Sequence, residues 1–238
     1  MNYGLLLNSG VSLLIAISGG ILTTYVLVRK RDPKVLFMSA LFAAFWFCIT
    51  MVYLLASARI LAAFFGNYNI DRILYQIDNA FGGAMAIPTV LLALYMLTRN
   101  RIAGAVGASL VSVVWAVWVV IMTVKGVSGP TVSQWHTDWD QVSSAAKYIA
   151  IFGLYLPTVL AMFSMFFALF RVDSRMARYR LIMTAVSMIL TATLIIIEFL
   201  TTKPLLGIWI RLGILVAVLV GVFGYFPPKG LNDRLESA

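Results

Sequence analysis

The sequence predicts an all-α integral membrane protein, a bundle of seven transmembrane helices with its N-terminus outside and its C-terminus in the cytoplasm. Three observations carry that prediction. Hydrophobic residues make up 62% of the 238-residue chain and charged residues 11%, with a mean hydropathy of +0.96, whereas soluble domains are about 25% charged. The apolar residues gather in seven blocks, each near the roughly 20 residues that cross a bilayer core as a helix. Basic residues concentrate on every second break between blocks, and such breaks face the cytoplasm.

The first span covers roughly 4–28. Its opening, MNYGLLLNSG, has no basic residue, and Arg29, Lys30 and Arg31 follow the apolar run. That charge order belongs to a retained span entering N-terminus outward, not to a cleaved signal peptide. Span two, roughly 35–63, follows Lys34 and holds the single cysteine, Cys48. A lone thiol there is a small core residue, and it leaves no disulfide framework.

Span three, roughly 73–97, is the most polar, and it opens on IDRILYQIDNAFGG. Arg72, Tyr75, Gln76 and Asn79 follow spacings of three and four and share one helix face; Asp71, Tyr75 and Asp78 form an overlapping stripe. Asp78 and Asn79 lie about 10 Å below the helix start. Ionisable groups inside spans mark functional sites. The expectation is a polar pocket open to the outside, with Asp78 set against Arg72 or a ligand cation. Pro88 in this span and Pro157 in span five each remove a backbone hydrogen bond and kink their helices. Arg99 and Arg101 mark the next cytoplasmic break.

Span four, roughly 103–124, begins with Gly104, Gly107 and Ala108. With Gly19–Gly20 and Gly82–Gly83, these small residues let helices approach closely. Trp115 and Trp118, three residues apart, are expected to face lipid or a neighbouring subunit. The longest break, roughly 125–145 by the same span estimate, is an outer loop containing Trp135, His136, Asp138, Trp139 and Asp140. Tryptophans there are expected as interfacial anchors. The lone histidine beside carboxylates fits pH sensing better than a metal site, because no second His or Cys accompanies it.

Span five, roughly 146–170, leads to the basic break Arg171, Arg175, Arg178 and Arg180. Span six, roughly 181–201, carries Glu198 near its outer end, and span seven, roughly 205–226, carries Arg211 about two turns in. Their similar depth on consecutive antiparallel helices makes them a candidate charge pair. Arg72, Asp71 and Lys203, nearer the helix ends, read as groups that snorkel to the interface. Lys229 and Arg234 in the tail bring the cytoplasmic side to 12 of the 18 basic residues. The chain reads as one transmembrane domain over 1–228 with a short cytoplasmic tail, 229–238. Such a tail is too short to fold, so any output belongs to a separate chain.

Several functions fall away. The net charge of +9 reflects the basic cytoplasmic face and its attraction to anionic lipid, not nucleic acid. Span seven, LLGIWIRLGILVAVLVGVFGYF, has no lysine for covalent retinal. YMLTRNR and VFGYFPP do not match the signatures of the commonest G-protein-coupled receptors. One histidine excludes bis-His haem ligation. No enzyme, metal or cofactor is predicted, and a noncovalently held pigment or lipid remains compatible with the aromatic content.

The segment RMARYRLIMTAVSMIL opens span six, and VLVGVFGYFPPKGLNDRL closes span seven. The run Gly224, Tyr225, Phe226, Pro227, Pro228, Lys229 resembles the end of the N-terminal seven-helix membrane region of bacterial and archaeal sensor histidine kinases and cyclases. Span two, VLFMSALFAAFWFCITMVYLL, is similar to that region's second helix, with its central tryptophan. The departure is that no PAS, GAF, kinase or cyclase domain follows. The resemblance implies a freestanding sensor-like domain. The expected function is a non-enzymatic sensor or ligand-binding bundle in the cell membrane, signalling through a partner protein at its basic cytoplasmic face. The alternatives are an accessory or structural subunit of a larger membrane complex associated with pigments or quinones, and a small transporter.

Overall fold

The computed structural model describes residues 3–28, 33–169, 174–201, 203–228 and 230. Arg29, Lys30, Arg31, Arg171, Lys229, Arg234 and the side chain of Lys34 lie outside the described residues, as does the tail apart from Gly230. Among the described residues, seven helical spans are long and apolar enough to cross a membrane, at Tyr3–Val28, Leu36–Phe64, Tyr68–Thr98, Arg101–Lys125, Ser144–Phe167, Arg175–Leu200 and Leu205–Tyr225. Helices are the natural solution for such runs, because only a helix satisfies the backbone within its own segment.

Helix α1 (Tyr3–Val28) packs antiparallel on α2 (Pro33–Phe64), where Gly19 leaves room for Thr50. Proline suits the first turn of α2, since its missing N–H has no intrahelical partner there. Gly66, at φ +76°, turns the chain after α2, and the Asn67 side chain then accepts from the Ile70 N–H to cap α3 (Tyr68–Ala84). Helix α4 (Ala86–Thr98) continues the same span after a break at Met85. Pro88 has no N–H to offer the Ala84 carbonyl, so the break falls one turn upstream of it. Asn100 caps α5 (Arg101–Lys125) through Ile102 N–H at 2.8 Å.

The loop expected after α5 is a β-hairpin, β1 (Val127–Val132) against β2 (Thr137–Gln141), with an irregularity between Ser128 and Thr131. Ser133 closes its turn, accepting from the N–H groups of Trp135 and His136. Span five is compound. Helix α6 (Ser144–Tyr148) passes into a π-helical segment, Ile149–Tyr155, and then into α7 (Leu156–Phe163) and α8 (Met165–Leu169). Pro157 cannot donate to Gly153, and the Leu156 N–H reaches back five residues to the Ile151 carbonyl. Helices α9 (Arg175–Leu200) and α10 (Pro204–Tyr225) follow.

Consecutive spans lie side by side, and α10 closes the ring against α9 and α1. Below the break at Met85, α4 touches α2, α5 and α7, so the third span runs through the middle of the bundle at that end. The core centres on α2, whose Phe45, Trp46, Ile49, Tyr53 and Ile60 are all buried. Cys48 is a buried core residue. Hydroxyls within the spans bond back to carbonyls four residues earlier, as Thr50 does to Trp46 and Thr158 to Leu154.

The tryptophans of α5 correct the expectation of a lipid face. Trp118 is fully buried, and the Trp115 indole donates to the Ala80 carbonyl at 2.8 Å. Gly83 supplies the gap: a Cβ there would sit 2.7 Å from the Trp118 ring and 3.1 Å from Trp115. An indole N–H paired inside the bundle avoids an unsatisfied donor in hydrocarbon. Gly83→Ala should therefore lower stability by about 1–3 kcal/mol through overpacking. Gly10→Ala, where a Cβ meets open space, should be neutral or stabilising by up to about 1 kcal/mol. Unfolding of the two variants in detergent checks this; equal effects would contradict it.

Candidate functional site

A cavity of about 400 Å³ lies between the spans at the hairpin end, walled by α2, α3, β2, span five, α9 and α10. Two buried arginines organise it. Arg59 projects from α2 with 4% exposure. Its Nε donates to Asp71 at 3.1 Å, Nη1 to Asp78 at 3.4 Å and Nη2 to the Thr137 carbonyl at 2.6 Å. Its guanidinium also lies over the Tyr75 ring, 4.7 Å from the centroid. A charge this deep persists only when paired and hydrogen-bonded.

The second centre is Arg211 on α10. Its Nε donates to Glu198 at 2.6 Å, and Nη1 donates to Asn8 and Ser12 of α1, both at 2.9 Å. Tyr53 Oη donates to the other Glu198 oxygen at 2.9 Å. Five side chains from four helices thus meet at one guanidinium and one carboxylate. Asn8 spends its amide N–H on the Trp135 carbonyl at 2.8 Å and faces His136 Nδ1 at 3.4 Å. Because Asn8 Nδ2 is a donor, His136 Nδ1 accepts, which places the imidazole proton on Nε2.

The hairpin docks through alternation. Thr137, Trp139 and Gln141 of β2 are buried, while Asp138 and Asp140 between them are more exposed. Trp139 donates its indole N–H to Asp71 at 2.9 Å, and Gln141 accepts from Trp118 at 3.5 Å. Asp140 instead takes Lys147 at 2.6 Å. Burial, reinforced by the nearby Arg211 and Arg59 guanidiniums, holds His136 well below the ordinary imidazole range. Burial pushes the Asp138 carboxyl up, which Arg59 and the Trp139 N–H partly offset.

Of the residues singled out in the sequence, the structure brings Tyr75, Asp78, Asn79, Glu198 and Arg211 to the cavity wall. Asn79 donates to Asp78 at 2.9 Å and to the Tyr75 carbonyl at 2.8 Å. Arg72 is exposed and Gln76 half-buried, and neither borders the cavity. The inward stripe of α3 is Asp71, Tyr75, Asp78 and Gly82, so the charge against Asp78 is Arg59 and not Arg72. Asp71 is fully buried rather than snorkelling, and Trp139 is a buried hydrogen-bond donor rather than an interfacial anchor. Arg59 itself was not among the expected site residues. Its signal was the apolar run ILAAFF that follows it, which places it more than a turn inside the span. Among the basic-face residues, Arg99, Arg101, Arg175 and Arg178 are exposed and Arg180 is half-buried.

Among the described residues, no group of three or more His, Cys, Asp or Glu is placed to hold a metal ion. What the arrangement offers is recognition: fixed charges, hydroxyls and ring faces around an enclosed space. The sequence matches no family model and no curated protein.

Removing one member of a buried pair strands the other. Glu198→Gln should destabilise the fold by up to about 3 kcal/mol, and adding Arg211→Leu should recover part of the loss. Additive single effects in a double-mutant cycle would contradict the coupling. The hairpin should also respond to acid. An undocked His136 titrates near its ordinary value of 6.5, while the docked one titrates lower. The undocked state therefore binds the extra proton, so docking is at full strength above pH 6.5 and weakens as pH falls through it. Below that point the docking equilibrium should fall about tenfold per pH unit until the docked imidazole itself titrates. Hydrogen exchange of residues 127–141 measures it, and His136→Gln should remove this loss of docking, leaving only the opposite trend from Asp138, whose raised carboxyl favours the docked state in acid.

Proposed function

We propose that this chain is a non-enzymatic sensor of the cell membrane, a seven-helix receptor for a small polar solute entering from the hairpin side. In this reading the N-terminus and hairpin lie outside, and the ends bearing Arg99, Arg101, Arg175 and Arg178 lie in the cytoplasm, where basic residues accumulate. A partner protein meets that basic face. The resemblance of the closing Gly-Tyr-Phe-Pro-Pro segment to sensor-kinase membrane regions points the same way.

The observation that carries the reading is where the cavity lies relative to the broken helices. Gly82 on its wall is three residues from the break at Met85, and Ile151 and Tyr155 on its wall belong to the π-helical segment. Both irregular elements continue as α4 and α7, which pack on each other toward the opposite end. An occupant that pushes on Gly82 or Tyr155 acts on the two places where the backbone ladder is already interrupted. Proline breaks and π segments are recurrent sites of adjustable helix geometry.

The test needs no ligand. Gly82→Met inserts a side chain into the cavity, beginning with a Cβ 3.3 Å from the Tyr155 hydroxyl. If occupancy is transmitted, spin labels at Thr98 and Arg178 should report a shifted distance distribution, and Gly10→Met at the exposed face of α1 should not. An unchanged distribution in a folded Gly82→Met protein would favour a scaffold subunit over a sensor.

A further inference from the structure

We propose that the cavity binds a small organic ammonium ion, with Asp138 as its counter-charge and Tyr155 as its aromatic and hydroxyl contact; this names the ligand class for the sensor reading above and rests on that reading.

The argument begins with what the cavity has left to offer. Its wall holds three cations, and each is already engaged: Arg59 with Asp71 and Asp78, Arg211 with Glu198, and Lys147 with Asp140. The arginines also donate to the Thr137 carbonyl, Asn8 and Ser12. An anionic ligand would have to break these bonds. The acidic side is in surplus, since Asp78, Asp138, Asp140 and Glu198 face those three cations and Asp71 shares Arg59. Asp138 has no cation within ion-pair distance among the described residues. Its one hydrogen bond is from its neighbour's backbone, Trp139 N–H at 2.9 Å. A carboxylate accepts about four hydrogen bonds, so most of its capacity is not spent on the described protein groups.

A second, independent observation comes from two tyrosines. Tyr155 is 2% exposed and Tyr75 is 7% exposed, yet neither hydroxyl has a hydrogen-bond partner among the described residues. Both border the cavity, and the Tyr155 hydroxyl lies against Gly82 of α3, 3.3 Å from where a Cβ there would sit. Both hydroxyl oxygens open onto the cavity rather than being sealed in the packing, so an occupant could reach them. The Tyr155 and Phe199 rings lie 5.3 Å apart at a tilt, presenting aromatic surface beside the same space. Unspent carboxylate, unpartnered phenol oxygens and ring faces together match an ammonium group, by ion pairing and cation–π attraction. A volume of about 400 Å³ falls at the small-ligand end of the usual 300–1,000 Å³ range for binding pockets, roughly enough for such an ion with water.

The test uses the full chain in nanodiscs of phosphatidylglycerol, whose headgroup carries no amine, with calorimetric titration of choline. Choline should bind saturably. Its neutral isostere 3,3-dimethylbutan-1-ol and the anion acetate should bind at least about tenfold more weakly, a loss of one charge-assisted contact. Asp138→Asn should raise the choline Kd by about tenfold or more, and Tyr155→Phe, which keeps the ring and the packing, by a few-fold. Should Asp138→Asn fail to fold, Tyr155→Phe and the isostere decide. Discs containing phosphatidylethanolamine separate two sources of the same chemistry: weaker choline binding there marks a lipid headgroup as occupant, and unchanged binding marks a free cation. Equal binding of choline and the isostere, an unaltered Kd in Asp138→Asn, or no saturable choline binding would overturn the proposal. Ammonium binding without movement at the opposite end would sink only the sensor reading. Movement in Gly82→Met without ammonium binding would sink only the ligand class.

Discussion

The hairpin end of this bundle depends on one buried guanidinium. Arg59 is buried and finds its partners on two elements: α3, through Asp71, Asp78 and the Tyr75 ring, and β2, through the Thr137 carbonyl. Each bond fixes something larger than itself. The pair with Asp71 and Asp78 sets the rotation of α3, and with it which stripe of that helix turns inward. The bond to Thr137 helps hold the hairpin on the bundle, together with Trp139, Gln141 and Asn8. Trp139 completes the frame from above by donating to the far oxygen of Asp71. Charges in low dielectric tolerate few arrangements, which is how a single side chain can specify so much geometry.

The Arg211 centre does the same for the seam of the ring. It joins the last span to the sixth through Glu198 and to the first through Asn8 and Ser12. Asn8 relays this to the hairpin turn through the Trp135 carbonyl. The two arginine centres are therefore linked through the hairpin turn, Arg211 by way of Asn8 to Trp135 and Arg59 to Thr137 two residues on. The space between them is the cavity. Its polarity follows from construction: the groups needed to hold two buried cations also line whatever lies between them.

The sequence displayed its architecture openly and its wiring hardly at all. Seven spans follow from block length and composition, and each predicted span agrees with an observed one to within a few residues, apart from spans three and six, whose helices begin five or six residues earlier at Tyr68 and Arg175. The inward orientation of Asp78 and its neighbours was legible from the cost of carboxylates in hydrocarbon, as was the depth match of Glu198 with Arg211. Arg59 was hidden because sorting basic residues by topological side treats them as surface charges. The hairpin was hidden because a single alternating pentad, TDWDQ, is too short to announce a strand without its docking partners. Trp118 was misread because a tryptophan on an apolar helix carries no mark of which neighbour has a glycine opposite it. The shape of a helix face can be read from one segment; complementarity between two segments cannot.

The ion pairs have a consequence for how the chain enters the bilayer. Both join consecutive spans: Arg59 on the second pairs with acids on the third, and Glu198 on the sixth pairs with Arg211 on the seventh. Lone charges within a span carry an insertion penalty, about 2.5–3.5 kcal/mol at the helix centre and less toward the ends, where these lie. Spans delivered to the membrane two at a time would arrive with those charges already paired. Asn8 and Ser12 are different, because they wait in the first span until the last one has been synthesised. Their bond to Arg211 joins the first span to the last, and with it a row of helices becomes a ring.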